Sequence, residues 1–223
     1  MAPLSVNQLN KLFKSRQILI EILKMRGFAT DNYSDFSFQE FSAQFSNEQL
    51  DMLVESDDSS DGKEKTSETE ETTKKVYVKY HLEGKLTNKI IYDTVEDLFE
   101  ADEVLDKKTD EIIIVSNQNL NKTIMEIKDT LFNTQGVLIN ILHYNSLQTN
   151  ILNNTLVPKH TVLSDAKKQE VMKKYNIQRD DQFPEIDRHE PVSCILGIRP
   201  GQLVEIERNS PTALTSLYYR ICV

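Results

Sequence analysis

Residues 111–142 read EIIIVSNQNLNKTIMEIKDTLFNTQGVLINIL, and this stretch decides the fold of the first part of the chain. Residues 112–115 form a continuous run of β-branched side chains, which is typical of a strand buried on both faces. Asn121 is a residue type that caps helices, and the spacing after it predicts a helix to about Phe132. Residues 137–142 predict a second strand. A strand, a helix and a strand in this order indicate an α/β layer.

The residues before this stretch extend the same pattern. Residues 76–80 alternate at period two and predict another strand, and residues 95–105 have helical spacing. Residues 6–26 predict a long amphipathic helix that ends at Gly27, a residue suited to the left-handed position after a helix. The phenylalanine-rich residues 35–45 predict a second short helix whose rings enter the core.

A strongly acidic run separates the first helices from the predicted layer. Residues 55–71 contain eight acidic residues and two lysines, in a chain whose formal net charge is −9. Residues 55–73 contain no aromatic or aliphatic side chain, so they cannot bury enough surface to offset the entropy of ordering. We therefore expect a loop or insertion at about residues 55–74. A regulatory segment phosphorylated on Ser or Thr is the alternative.

Length and composition exclude several classes of protein. The 223 residues suggest one large domain or two small ones, each able to bury a core. No apolar run is long enough to span a membrane and no signal peptide is visible, so we expect a cytoplasmic or nuclear protein without membrane contact. The acidic balance makes unaided nucleic-acid binding improbable.

The last third of the chain has its own pattern. Ser164 opens a predicted helix that ends near residues 175–176. Residues 202–208 alternate apolar and charged side chains as a half-exposed strand does, and residues 217–223 offer a second strand to pair with it. These patterns predict a small mixed α and β unit.

We find no residue pattern that indicates catalysis. His189 is close to Ser193 and Cys194 in sequence, but no nucleophile elbow surrounds them. The acidic residues of 180–190 lack the spacing of a calcium loop. Cys194 and Cys222 favour small buried side chains, and the four histidines lack metal-ligand spacing. We expect no catalytic residue, no metal, no cofactor and no small-molecule substrate.

One loop has the chemistry to approach a phosphate. Residues 116–122, SNQNLNK, place polar side chains and backbone N–H groups at the positive end of a predicted helix. The loop has no glycine, so it is not a nucleotide-binding P-loop. A plain turn is the other interpretation of this loop.

The last third of the chain contains a series of short motifs: LVPKH at 156–160, LS at 163–164, KKY at 173–175, FPEI at 183–186, EPV at 190–192, LG at 196–197, GQLVEI at 201–206 and YR at 219–220. In this order and spacing they resemble the C-terminal domain of the fifth subunit shared by eukaryotic nuclear RNA polymerases, a domain that has a counterpart among the small subunits of the archaeal enzyme. Residues 12–14, 21–28 and 113–125 resemble the N-terminal jaw domain of the same family.

This resemblance implies an α/β N-terminal jaw domain over residues 1–155 and a small α+β C-terminal assembly domain over residues 156–223. It implies a non-catalytic subunit of a multisubunit DNA-directed RNA polymerase. In the family, the assembly domain docks on the largest subunit, beside neighbouring small subunits, and the jaw domain lies near downstream duplex DNA. The protein would act in the nucleus if cellular, or in a cytoplasmic viral factory or virion if virus-encoded.

The resemblance also assigns candidate site residues. Those at the polymerase interface are Pro158, Lys159, His160, Pro191, Gly197, Gly201, Arg208, Tyr219 and Arg220. Those near DNA are Asn117, Gln118, Asn119, Asn121 and Lys122.

The chain departs from the family pattern at three places. Glu190 replaces the usual Asp before Pro191, Pro200 stands beside the glycine that precedes the strand, and Pro211 replaces an acidic residue after it. Two other functions remain open. The chain could be a free-standing adaptor that recruits basic partners through residues 55–71, or a degenerate nuclease-like domain whose strand-borne acids once held a metal.

Overall fold

The computed structural model describes residues 5–56, 73–101, 104–118 and 120–223. The chain divides into two compact units, Met1–Asn150 and Ile151–Val223. The sequence analysis expects the boundary after residue 155, slightly further along the chain than the boundary between these two units. Residues 57–72 of the predicted acidic insertion fall outside the described residues. No helix in the described part of the chain is long and apolar enough to cross a membrane.

The N-terminal unit is built around a four-stranded sheet, with its helices before and between the strands. The strands are β1 (Met52–Glu55), β2 (Lys75–His81), β3 (Glu111–Ser116) and β4 (Leu138–His143). The helices are α1 (Val6–Met25), α2 (Asp31–Ser34), α3 (Phe38–Ser46), α4 (Asn88–Glu96) and α5 (Lys122–Gln135). The strand order is β1-β2-β3-β4, with β1 antiparallel to β2 and the other pairs parallel. The predicted α/β layer is confirmed.

Helices cover this sheet on both faces. Ile112 of β3 packs in one apolar cluster with Ile91 of α4 and Ile127 of α5. On the other face, Tyr80 of β2 packs against a cluster that contains Leu12 of α1. Every residue of β3 is buried. The prediction of a strand enclosed on both faces is therefore confirmed, and its β-branched run follows from this enclosure.

Two expectations about the N-terminal unit are wrong in detail. The helix expected over residues 95–105 begins at Asn88 and passes into a π-helical turn, Asp97–Ala101. The first turns of α4 contain β-branched residues, which are typical of strands. The helical spacing of these turns is therefore not recognised from the sequence. Phe41 is fully buried as expected, whereas the rings of Phe36 and Phe38 are only half-buried.

The acidic run begins inside the sheet and not in a loop. Glu55, expected to open the insertion, is the last residue of β1, and its carboxylate lies 3.1 Å from the Lys75 ammonium group. The next residue, Ser56, donates its N–H to the carbonyl of Lys74 at 2.8 Å. The chain therefore leaves and re-enters the sheet at adjacent positions.

The C-terminal unit contains a second sheet, in the order β5-β7-β8-β6. Its elements are β5 (Lys159–Val162), α6 (Asp165–Tyr175), β6 (Glu185–Ile186), α7 (Pro191–Leu196), β7 (Leu203–Ser210) and β8 (Leu214–Cys222). The predicted helix and the antiparallel pair of strands are confirmed as α6, β7 and β8. The short elements β5, β6 and α7 were not predicted.

Each face of the second sheet has its own apolar cluster. Met172 of α6 packs against the cluster that contains Leu203. On the opposite face, Ile198, just after α7, packs with Val204. The side chains of Cys194 and Cys222 are buried, as predicted, and burial raises the pKa of Cys222 to about 11.

Candidate functional site

The first candidate site lies at the carboxyl edge of the N-terminal sheet. The last residues of the three parallel strands, His81, Ser116 and His143, are neighbours in register. α4 and α5 each follow a strand through a short loop, so both helices begin at this edge. In parallel α/β sheets this edge is the usual position of ligands.

The predicted DNA-facing amides connect two loops of this edge. The Asn117 side-chain amide donates to the carbonyl of Leu82 at 3.2 Å, and that of Gln118 donates to the carbonyl of Gly84 at 2.6 Å. The Gln118 N–H also donates to the Ser116 hydroxyl at 2.9 Å. These donors therefore brace the loop that follows β2, a role that the sequence did not indicate.

Two further members of this set, Asn121 and Lys122, lie at the start of α5. Asn121 is the N-cap residue, but its side chain makes no capping hydrogen bond. Lys122, the first helical residue, is exposed, and no acidic residue lies in the first turn. Asn119 lies outside the described residues. Asn121 and Lys122 thus offer an exposed amide and one cation at a positive helix end.

The second candidate site is the sheet of the C-terminal unit. Five of the predicted interface residues lie on three strands of this sheet. Lys159 and His160 lie on β5, Arg208 on β7, and Tyr219 and Arg220 on β8. Residues that oppose one another in adjacent strands share a face, and the face alternates along each strand. The registers therefore place His160, Arg208 and Arg220 on one face and Lys159 and Tyr219 on the other.

We call His160, Arg208, Tyr218 and Arg220 the basic face. The Arg208 guanidinium carbon lies 5.5 Å from the ring centroid of Tyr218, a residue that the sequence analysis did not select. Arg220 donates from Nη1 to the carbonyl of Glu185 at 3.2 Å, and Nδ1 of His160 lies 2.7 Å from the carbonyl of Pro158. Arg208, Tyr218 and Arg220 are exposed and His160 is half-buried, so this face presents two cations and an aromatic ring.

The opposite face holds Tyr219 within the unit. Its hydroxyl donates to the Glu205 carboxylate at 3.0 Å, and its ring lies 5.7 Å from that of Tyr175. Desolvation, followed by the hydrogen bond to Glu205 and its negative charge, raises the pKa of Tyr219 to about 12. The hydrogen bond to Glu205 thus ties Tyr219 to the neighbouring strand β7 within the unit.

Three other predicted interface residues shape the backbone. Pro191 is the first residue of α7, where its missing N–H costs nothing. Gly197 ends α7 with a φ of 64° and Gly201 precedes β7 with a φ of 86°. A Cβ at Gly201 would meet no atom within 4 Å, so glycine is needed there for its left-handed conformation and not for space.

The described residues contain no group of three or more His, Cys, Asp or Glu side chains that could hold a metal ion.

Comparison with known proteins identifies the family. Residues 149–222 match the family model for RNA polymerase Rpb5, C-terminal domain. Over 74 residues, 33% of this chain, the sequence is 46% identical to DNA-directed RNA polymerase subunit Rpo5 of Thermococcus kodakarensis and covers 89% of it. The chain belongs to the Rpb5 family. The Rpo5 subunit of Nitrosopumilus maritimus is 43% identical over 67 residues, 30% of this chain and 80% of that protein.

The similarity to Rpb5-family proteins is not confined to the C-terminal unit. Subunit rpabc1 of DNA-directed RNA polymerases I, II and III from Dictyostelium discoideum is 29% identical over 123 residues, which are 55% of this chain and 62% of that subunit. This match is longer than the unit Ile151–Val223, so it continues into the N-terminal unit. The predicted resemblance to the fifth polymerase subunit is thereby confirmed.

Proposed function

We propose that the chain is a non-catalytic subunit of a multisubunit DNA-directed RNA polymerase. The observation that carries the proposal is the 46% identity to an archaeal polymerase subunit over 89% of that subunit's length. The exposed side chains of Arg208, Tyr218 and Arg220 on one face of the C-terminal sheet support an assembly role.

In this proposal the C-terminal unit is the assembly domain and docks on the largest polymerase subunit, beside neighbouring small subunits. The basic face supplies the exposed contacts, because Arg208 and Arg220 can pair with carboxylates in a bidentate geometry. Pro191, Gly197 and Gly201 act indirectly by setting the turns around β7. Lys159 and Tyr219, on the other face, contribute at most at the edge of the interface.

The test is affinity purification of the tagged chain from its native setting, with identification of the recovered subunits by mass spectrometry. Wild-type chain should recover the largest subunit, and Arg208→Glu with Arg220→Glu should reduce that recovery. The matched control is Lys167→Glu with Lys174→Glu, which changes the charge equally on exposed positions of α6. Equal recovery with both double variants would reject the basic face as the docking surface.

We also propose that the N-terminal unit is the jaw domain and that residues 117–122 lie near downstream duplex DNA in the assembled enzyme. Lys122 and the start of α5 would contribute positioning without reading the sequence. One cation and one helix end contribute only about 1 kcal/mol. The loop would therefore act only where the rest of the polymerase holds the DNA.

Crosslinking to downstream DNA in the assembled enzyme tests this second proposal. Lys122→Glu should reduce the crosslinking without changing subunit recovery. Lys108→Glu is the control, because Lys108 is exposed and precedes the amino end of β3, at the opposite edge of the same sheet. Crosslinking that is unaffected by Lys122→Glu would identify the loop as an ordinary turn.

The location of the protein follows from its role in this proposal. A cellular Rpb5-family subunit of this kind would act in the nucleus, and a virus-encoded one in a cytoplasmic viral factory or the virion. Immunofluorescence of the tagged chain in its native setting distinguishes these locations.

A further inference from the structure

The hairpin of β7 and β8 extends beyond the rest of its sheet. β5 pairs with β7 only as far as Glu207, whereas β7 and β8 stay paired to Ser210 and Leu214. Beyond Glu207, each strand of the hairpin therefore has only the other as a neighbour in the sheet. A two-stranded ribbon of this kind has little core of its own. We call residues 208–216 the ribbon.

Leu214, at the tip of the ribbon, combines backbone strain with exposure. Its φ is 60°, and the Thr215 N–H donates to the Ala213 carbonyl at 2.6 Å, which closes a three-residue turn around it. This conformation is unfavourable for a residue with a Cβ and suits glycine. The Leu214 side chain is nevertheless 86% exposed, so packing within the unit does not offset the strain. A leucine here has no evident advantage in the isolated chain.

Hydrogen bonds and a proline constrain the turn that precedes Leu214. The Ser210 hydroxyl accepts the N–H of Ala213 at 3.3 Å and lies 3.3 Å from the Thr212 hydroxyl. Pro211 restricts φ in the turn. Because these contacts constrain the turn, little backbone entropy would be lost when Leu214 binds a partner.

Charges are segregated between the two sides of the hairpin. Arg208 and Arg220 of the basic face lie on the same side of the hairpin as Ser210 and its register partner Leu214. Glu205 and Glu207 lie on the other side. In a chain of net charge −9, a side that presents two arginines, a tyrosine and an exposed leucine is complementary to an acidic surface with an apolar depression.

We propose that the ribbon is an anchoring arm, in which Leu214 inserts into an apolar socket on the largest polymerase subunit and Arg208 pairs with Asp or Glu at the rim. This inference rests on the proposed function, which supplies the class of partner. The exposed aliphatic residue favours a polypeptide over a nucleic acid, because a phosphate backbone offers no apolar socket.

The decisive variant is Leu214→Gly in the tagged full chain. Glycine relieves the backbone strain, so the thermal unfolding temperature of the free chain should stay the same or rise. Recovery of the largest polymerase subunit should nevertheless fall by about tenfold or more, as for an interface residue that dominates binding. Leu217→Ala is the control, since Leu217 is 49% exposed on the opposite side of the hairpin and should leave recovery unchanged.

A photoreactive benzoylphenylalanine at position 214 identifies the partner in the assembled enzyme. Crosslinks to the largest polymerase subunit support the inference, whereas crosslinks to nucleic acid or only to other subunits overturn it. If the wild-type chain and Leu214→Gly recover the largest subunit equally, the inference fails and the proposed function stands. If the wild-type chain recovers no polymerase subunit, both fail.

Discussion

Arg16 is a charged residue buried in the N-terminal unit, and its substitution should lower the stability of that unit. The residue is only 3% exposed, its Nη1 donates to the Leu50 carbonyl at 2.8 Å, and its guanidinium lies within 6 Å of three aromatic rings. Arg16→Ala removes this packing and leaves the buried carbonyl of Leu50 without its donor. We expect a loss of about 3 kcal/mol in the free energy of unfolding, measured by urea denaturation with circular dichroism.

Two companion variants separate the causes of this loss. Burial lowers the pKa of Arg16, which shows that its charge is held at a desolvation cost. Arg16→Met keeps much of the volume and removes the charge, so it should cost less than Arg16→Ala. Lys14→Ala, on the exposed side of α1, should change stability by less than about 0.5 kcal/mol. An Arg16→Ala variant as stable as Lys14→Ala would contradict the assignment of Arg16 to the core.

At the scale of single residues, helical spacing places Arg16 on the apolar side of α1. It does not show which groups surround the guanidinium group. Helical spacing is local, whereas the rings of Phe36, Phe41 and Tyr80 come from elsewhere in the chain. The same limit applies to Tyr218, whose contact with Arg208 depends on strand register. Motif resemblance selected Tyr219 and Arg220 together, but only the structure shows that Arg220 is the one on the exposed basic face.

Two helix N-termini should respond differently to loss of the N-cap side chain. In α3, Ser37 accepts the N–H of Glu40 at 3.3 Å and the Glu40 carboxylate accepts the N–H of Ser37 at 2.7 Å, forming a capping box. Ser37→Ala should cost about 1 kcal/mol. Asn121 makes no such bond to α5, so Asn121→Ala should cost clearly less. Thermal unfolding of the two variants measures the difference, and equal losses would contradict it.

At the scale of elements, the periodicity of apolar residues predicts the long helices and the long or enclosed strands. It misses the short strands. α1, β3 and β7 each contain enough residues for a period to show. β6 has two residues and β5 four, which is too few. β6 is a strand because β8 lies beside it, and that pairing is not visible in local sequence. The β1 strand was missed because its last residue, Glu55, belongs to an acidic run.

At the scale of the whole molecule, we expect residues 151–223 to fold without the N-terminal unit. This unit has its own apolar clusters on both faces of its sheet, and a match of similar length covers 89% of the Thermococcus kodakarensis subunit. The fragment should show a cooperative thermal transition by circular dichroism. The same fragment with Val204→Asp, a change at a fully buried position, should not. A wild-type fragment that melts without cooperativity would contradict the expectation.

The adjacent exit and re-entry points at Ser56 and Lys74 have a consequence for how this chain can vary in evolution and in the laboratory. The hydrogen bond between these two residues joins the ends of the connection, so the pairing of β1 with β2 does not depend on the number of residues in the connection. Doubling the length of a flexible connection costs only about 0.6 kcal/mol in closure entropy. We therefore expect the fold to tolerate a connection of different length or sequence here, and a fluorescent reporter domain inserted at this point should leave the fold intact.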